Sequence, residues 1–116
     1  MANITLWHNP KCSKSRNALA LLEEEGVEAT IVKYIETPPT KEELKSLLKM
    51  LGIWAGELIR TKEEIYKTLN LKEETDENKL IEAMVEHPRL IERPIVIKEG
   101  KAVIGRPVEK VVELLR

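Results

Sequence analysis

The chain has 116 residues, 42% hydrophobic and 34% charged, enough for one domain with its own core and too few for two. Lys and Arg number 19 against 20 Asp and Glu, and a net charge of -1 excludes the broad basic surface that binds nucleic acid or an anionic membrane. With two Trp, two Tyr and no Phe there is no base-stacking platform, and no apolar run approaches the roughly 20 residues of a membrane span.

The opening stretch MANITLWHNPKC has neither a basic n-region nor a long apolar h-region, so no signal peptide is predicted and the expected location is the cytoplasm. Asn3 to His8 is short, apolar and β-rich, a predicted buried strand. Pro10 breaks it, because proline donates nothing to a sheet ladder. From Ser13 onward Ser15, Ala18, Leu19 and Leu22 recur at helical spacing, and Gly26 is the predicted stop. Ala29 to Ile35 reads as a second strand. Strand, helix and strand together predict a parallel pair with a right-handed crossover.

Pro38-Pro39 closes that unit. Thr40 to Glu43 matches a capping box and precedes Leu44, Leu47, Leu48 and Leu51 on one helical stripe, ended by Gly52. A second capping box, Thr61 to Glu64, is predicted to open a short helix carrying Ile65 and Leu69. A third helix from about Thr75 to Glu86 is expected to bury Leu80, Ile81, Met84 and Val85. Strands return at Pro94 to Ile97 and Ala102 to Ile104, joined through Glu99-Gly100, a pair suited to a tight hairpin. Val108, Val111, Val112 and Leu115 give a closing helix its apolar face. The order β-α-β, all-helical insert, β-β-α is that of a thioredoxin-like α/β fold, a small mixed sheet flanked by helices. The expectation is a single domain over 1–116 with the insert at about 40–90.

Cys12 is the one cysteine, so an internal disulfide and the cysteine part of a structural zinc site are excluded. If it is redox-active, its resolving thiol belongs to another molecule. It stands between the first strand and first helix, where free N–H groups and the helix dipole favour an anion. Lowering a thiol pKa of about 8.5 by about two units takes roughly 2.7 kcal/mol of preferential thiolate stabilisation, within reach of a helix terminus plus cations. Lys11, Lys14, Arg16 and His8 are the nearby candidates. The competing reading is an inert buried thiol, against which the polar loop argues.

Ser15 occupies the place of the second thiol in a Cys-x-x-Cys motif, so the dithiol cycle of thioredoxin is closed to this loop. Its hydroxyl can serve the thiolate, a bound oxyanion, or simply the helix N-terminus. His8 can tune the thiol or relay a proton, or it is only a polar strand end. His87, before Pro88, is read as a helix C-terminal residue. Arg93 and Arg106 each precede a proline and border a predicted strand, and with Arg60 they are the candidate oxyanion ligands, since arginine binds a tetrahedral oxyanion bidentately. Taken singly, each is equally a surface arginine. A Cys-phosphatase loop would need arginine where Ala18 stands. Glu23 to Glu25 and Lys72 to Glu74 read as solvated helix faces. There is no Gly-rich phosphate loop and no clustered set of metal ligands.

The segment His8 to Arg16, HNPKCSKSR, resembles the active-site loop of the glutaredoxin-linked arsenate reductases. So do Tyr34 to Pro39 (YIETPP), Leu58-Ile59-Arg60, His87-Pro88, Glu92 to Val96 (ERPIV) and Gly105-Arg106-Pro107, which extend the resemblance in order over essentially the whole chain. Leu47 to Gly52 (LLKMLG) and Ile104 to Pro107 (IGRP) resemble a housekeeping-type branch, whose substrate is another oxyanion or a glutathione mixed disulfide. The resemblance implies a thioredoxin-like fold with a helical insert. It also implies Cys12 as nucleophile, Arg60, Arg93 and Arg106 as oxyanion-binding residues, and His8 and Ser15 as supports of the thiolate. It implies no bound cofactor, with arsenate as substrate, glutathione as co-substrate and a glutaredoxin as partner. Pro94 corresponds to the superfamily's cis-proline. Two other readings compete. Spx-type regulators, which bind RNA polymerase, share the fold but typically switch through a Cys-x-x-Cys that Ser15 removes. A monothiol glutaredoxin holding an iron–sulfur cluster gives the arginines no role.

Overall fold

The structure, a computed structural model, describes residues 4–115. Its elements are β1 (Ile4–Trp7), α1 (Ser13–Glu24), β2 (Ala29–Val32), α2 (Lys41–Leu51), α3 (Ala55–Leu58), α4 (Glu64–Thr68), α5 (Glu77–Glu86), β3 (Ile95–Lys98), β4 (Lys101–Ile104) and α6 (Glu109–Leu115). Single 3-10 turns lie at Leu71–Glu73 and Pro88–Leu90. The chain divides into two compact units, one running to Thr37 and resuming at Arg93, the other comprising Pro38–Glu92.

The first unit is a thioredoxin-like α/β arrangement around a four-stranded sheet of order β2-β1-β3-β4. β1 pairs parallel with β2, Ile4 opposite Ala29, and antiparallel with β3, Leu6 opposite Val96. β3 and β4 close the predicted hairpin, with Glu99 at φ 46° and Gly100 at φ 82°, both on the positive side that a type I′ turn demands. Alternation along the strands sends Ile4, Leu6 and Val96 to one face, where they meet Ala18 and Leu22 of α1 and Val111 of α6 in one buried cluster. Of the predicted apolar face of α6 only Val111 is fully covered.

β2 is shorter than predicted. The N–H groups of Glu36 and Thr37 both donate to the Lys33 carbonyl, closing a turn before Ile35 can pair. Asn3, the predicted start of β1, lies outside the described residues.

The second unit is all-helical. Thr40 and Glu43 form the predicted capping box: Glu43 N–H donates to Thr40 Oγ1 and Thr40 N–H to the Glu43 carboxylate, both at 3.1 Å. Leu44, Leu47 and Leu48 are buried on the stripe, and Gly52 ends α2 at φ 70°. The second predicted box does not form. α4 starts at Glu64, Glu63 holds the cap position without a side-chain bond, and Leu69 is 44% exposed. The Glu63 carboxylate is instead turned toward Arg60. α3 escaped the sequence reading because it is a single turn without periodicity; its Ala55 N–H donates to the Glu77 carboxylate at 2.9 Å. α5 begins at its Asp76 cap, ends at His87 as predicted, and buries Ala83 where Val85 was expected.

Candidate active site

The site begins with how β1 turns into α1. The His8 N–H still donates to the Val32 carbonyl at 2.8 Å, prolonging the parallel ladder by one bond. Pro10 then forces a turn, closed by the Asn9 side chain, which accepts from Lys11 N–H at 3.1 Å, and by Cys12 N–H donating to the Asn9 carbonyl at 3.0 Å. Arg16 donates from Nη1 to the Pro10 carbonyl at 2.9 Å, and its N–H donates to the Cys12 carbonyl at 3.0 Å. Cys12 therefore caps α1 in extended backbone (φ -98°, ψ 124°), its sulfur at the positive end of a twelve-residue helix.

Two opposing effects act on that sulfur. Partial burial favours the neutral thiol and is the largest single effect. It is outweighed by a hydrogen bond from the Arg93 guanidinium, by the N–H groups of Ser15 and Lys14, and by the charge of Arg93, which together bring the Cys12 pKa down to about 7. Near-neutral solution thus holds a large thiolate fraction. The cation responsible is not Lys11 or Arg16, which neighbour Cys12 in sequence but are exposed. Lys14 contributes through its backbone.

Arg93 and Arg106 arrive from the far end of the chain on either side of the β3–β4 hairpin. Arg93 precedes β3 through a cis bond to Pro94, and Arg106 follows β4 with a cis bond to Pro107. Arg106 donates from Nε to the Arg93 carbonyl at 2.7 Å and from Nη2 toward Cys12 Sγ at 3.8 Å. One arginine thus braces the backbone of the other while both reach the thiol. Arg93 loses some preference for its charged form to burial but recovers more from Cys12 and Tyr34, so it is held as a cation. Tyr34 is the residue whose part the sequence reading missed. It is fully buried, stacks on Trp7 with ring centroids 6.1 Å apart, and hydrogen-bonds the Arg93 side chain. Its signal, a single aromatic within the predicted second strand, is too common to single out.

His8 and Ser15 are both buried and bonded to one another, Nδ1 to Oγ at 2.6 Å. Ser15 Oγ also accepts the Asn9 N–H at 3.0 Å, so its hydroxyl ties the loop to the strand end, while its backbone N–H serves the sulfur. Burial, then the charges of Lys33 and Arg16, keep the His8 pKa below the ordinary value, so the ring is neutral.

Arg60 belongs to the helical unit. Its N–H donates to the Leu90 carbonyl at 2.7 Å beside an isolated bridge between Ile59 and Ile91. Its guanidinium lies 3.4 Å from the Glu63 carboxylate and 3.6 Å from that of Glu92. Among the described residues no group of three or more His, Cys, Asp or Glu is placed to hold a metal ion.

The ArsC family model matches residues 7–114 of the chain. The chain is 53% identical to the uncharacterised protein YfgD of Escherichia coli K12 over 114 residues, covering 97% of this chain and 96% of that protein. It is 46% identical to an arsenate reductase of Neisseria meningitidis over 117 residues, covering 99% of this chain and all of that one. Among solved structures, an arsenate reductase from Vibrio cholerae superposes with a TM-score of 0.93 at 50% identity, covering 96% of each chain.

Proposed function

The chain belongs to the ArsC family, and we propose that it reduces arsenate to arsenite, with Cys12 as nucleophile and glutathione and a glutaredoxin as external reductants. The observation that carries this reading is the Cys12 sulfur, poised at a pKa of about 7 with Arg93 and Arg106 both reaching it. A thiolate beside two fixed cations is matched to an electrophile that is itself an oxyanion. The guanidiniums offset the repulsion between nucleophile and substrate and hold the oxygens bidentately.

In the cycle, the Cys12 thiolate attacks arsenic(V) and an arsenate oxygen leaves as water, forming a sulfur–arsenic bond. A glutathione thiolate then attacks Cys12 Sγ. The sulfur–arsenic bonding pair passes to arsenic, which departs as arsenite in the +3 state, and Cys12 remains as a mixed disulfide. A glutaredoxin thiol attacks the glutathione sulfur of that disulfide and returns Cys12 to the thiolate. Two thiols are oxidised to one disulfide for each arsenate reduced. With Cys12 as the one cysteine, both later thiols have to come from outside.

His8 and Ser15 support the loop and keep the sulfur at the helix terminus. Arg60 serves as the third oxyanion residue. With two carboxylates already beside it, it contributes less net attraction than Arg93.

The test is an NADPH-coupled assay with arsenate, glutathione, glutathione reductase and glutaredoxin. Turnover that disappears in Cys12→Ser, and for which Arg60→Ala raises the arsenate KM less than Arg93→Ala does, is expected. Full activity in Cys12→Ser would overturn the nucleophile. A reactive Cys12 without arsenate turnover would overturn the substrate in favour of another oxyanion or a glutathione mixed disulfide.

A further inference from the structure

Arg93 reaches the Cys12 sulfur from the far end of the chain, and a long side chain keeps such an aim only where something fixes it. The sheet register supplies the place. Val32, Trp7 and Ile95 form one row across β2, β1 and β3. Tyr34 lies two residues past that row after β2, and Arg93 two residues before it ahead of β3. Both therefore come to the end of the sheet at which β1 leads out toward Cys12. Tyr34 is fully buried against Trp7, with ring centroids 6.1 Å apart and planes inclined by 27°. A ring stacked in a close-packed interior holds one orientation, so its hydroxyl occupies a fixed point. Guanidinium nitrogens only donate, so in the hydrogen bond between the two side chains Arg93 donates to Tyr34 Oη.

We propose that Tyr34 is a positioning residue of the site: its phenolic oxygen fixes the plane of the Arg93 guanidinium so that another N–H of the same fork stays on the Cys12 sulfur. The five N–H groups of arginine lie in one rigid plane, so an acceptor at one edge sets the direction of the others. The Arg106 Nε bond to the Arg93 carbonyl holds the backbone, and Tyr34 holds the side chain. Without Oη a charged N–H of half-buried Arg93 loses its acceptor, and the fork turns toward water and off the sulfur. Tyr34 thus acts on the thiolate through Arg93. The inference rests on the proposed reading for Cys12 as the nucleophile, but its test needs no arsenate.

Tyr34→Phe keeps the ring and its stack and removes only the oxygen. The pH midpoint of iodoacetamide alkylation, near 7 in the unsubstituted protein, is expected to rise by about 0.3–0.8 units, part of the way to the free-thiol value of about 8.5. At pH 7 the alkylation rate then falls roughly 1.5- to 3.5-fold, in proportion to the thiolate fraction. In an Arg93→Ala background the same substitution is expected to leave the midpoint in place, because the hydroxyl has no guanidinium left to aim. A general loosening of the loop would move it in both backgrounds. Arg93→Lys tests the same point with Tyr34 intact, so the proposal stays open to refutation if Tyr34→Phe does not fold. An ammonium keeps the charge but has no planar fork to be aimed, so its midpoint is expected between those of the unsubstituted protein and Arg93→Ala. An unchanged midpoint in Tyr34→Phe, an equal rise with and without Arg93, or an Arg93→Lys midpoint still near 7 would overturn the role of Tyr34. The expected shifts in a protein that does not turn over arsenate would keep Tyr34 as the positioning residue and discard the substrate.

Discussion

At Cys12 the chemistry depends on which interaction overcomes partial burial. Burial alone would leave the thiol protonated at neutral pH, and the helix amides and Arg93 together reverse that. Because the folded pKa lies below that of a free thiol, reactivity is present above it and is lost as the pH falls through about 7. The rate of iodoacetamide alkylation is therefore expected to rise with a midpoint near pH 7, and Arg93→Ala to move that midpoint upward toward the free-thiol value of about 8.5. A midpoint that stays near pH 7 in Arg93→Ala would assign the stabilisation to the Ser15 and Lys14 amides alone. The loop itself was legible, because a proline, a turn-forming Asn9 and a helix start put the thiol at a helix terminus from local rules. The identity of the cation was not. Lys11 and Arg16 are neighbours in sequence, whereas Arg93 arrives only through the pairing of β3 with β1, which no local pattern encodes.

At the scale of elements, the strong local signals held and the weak ones gave way to tertiary partners. Thr40 forms its capping box, while Thr61 does not: α4 starts later, at Glu64 after a cap at Glu63, whose carboxylate faces Arg60. The β3–β4 hairpin was readable from Glu99-Gly100, but its consequence for the site lies at its far end. There Gly105 donates to the Pro94 carbonyl at 2.8 Å, bringing the backbone against the proline that follows Arg93. A Cβ at Gly105 would come within 2.9 Å of Pro94 Cγ and 3.1 Å of Val111 Cγ2. Both contacts are tighter than packing allows without movement of β3 or α6. Gly105→Ala is accordingly expected to cost about 1–3 kcal/mol, the usual range for overpacking, visible as a drop of several degrees in the melting temperature. Since Arg106 follows directly, the displacement should also raise the alkylation pKa of Cys12. An unchanged melting temperature would show that the end of β4 has room to spare, and that glycine is not needed there.

For the whole molecule, the order of elements was readable because each strand and long helix carries its own periodicity. The switch from strand to helical periodicity after Pro38-Pro39, and back to strand at Pro94, puts the helical insert at about 40–90 in the sequence, and the helical unit of the structure spans Pro38–Glu92. Charge behaves in a similar way. The 19 basic and 20 acidic side chains nearly cancel, so beyond a Debye length of roughly 10 Å an approaching oxyanion meets almost no field. The attraction is confined to the last few ångströms, where Arg93 and Arg106 reach Cys12. Short-range, partly buried charge contacts are screened much less than exposed ones. For the proposed arsenate reaction, kcat/KM should therefore fall only about two- to five-fold between roughly 0.05 and 0.5 M salt, as a protein without long-range steering would show. Steady-state rates over that salt series decide the matter. A fall of a hundredfold would mean that a steering field exists which the balanced charge does not provide, and no fall at all would remove the two guanidiniums from oxyanion binding.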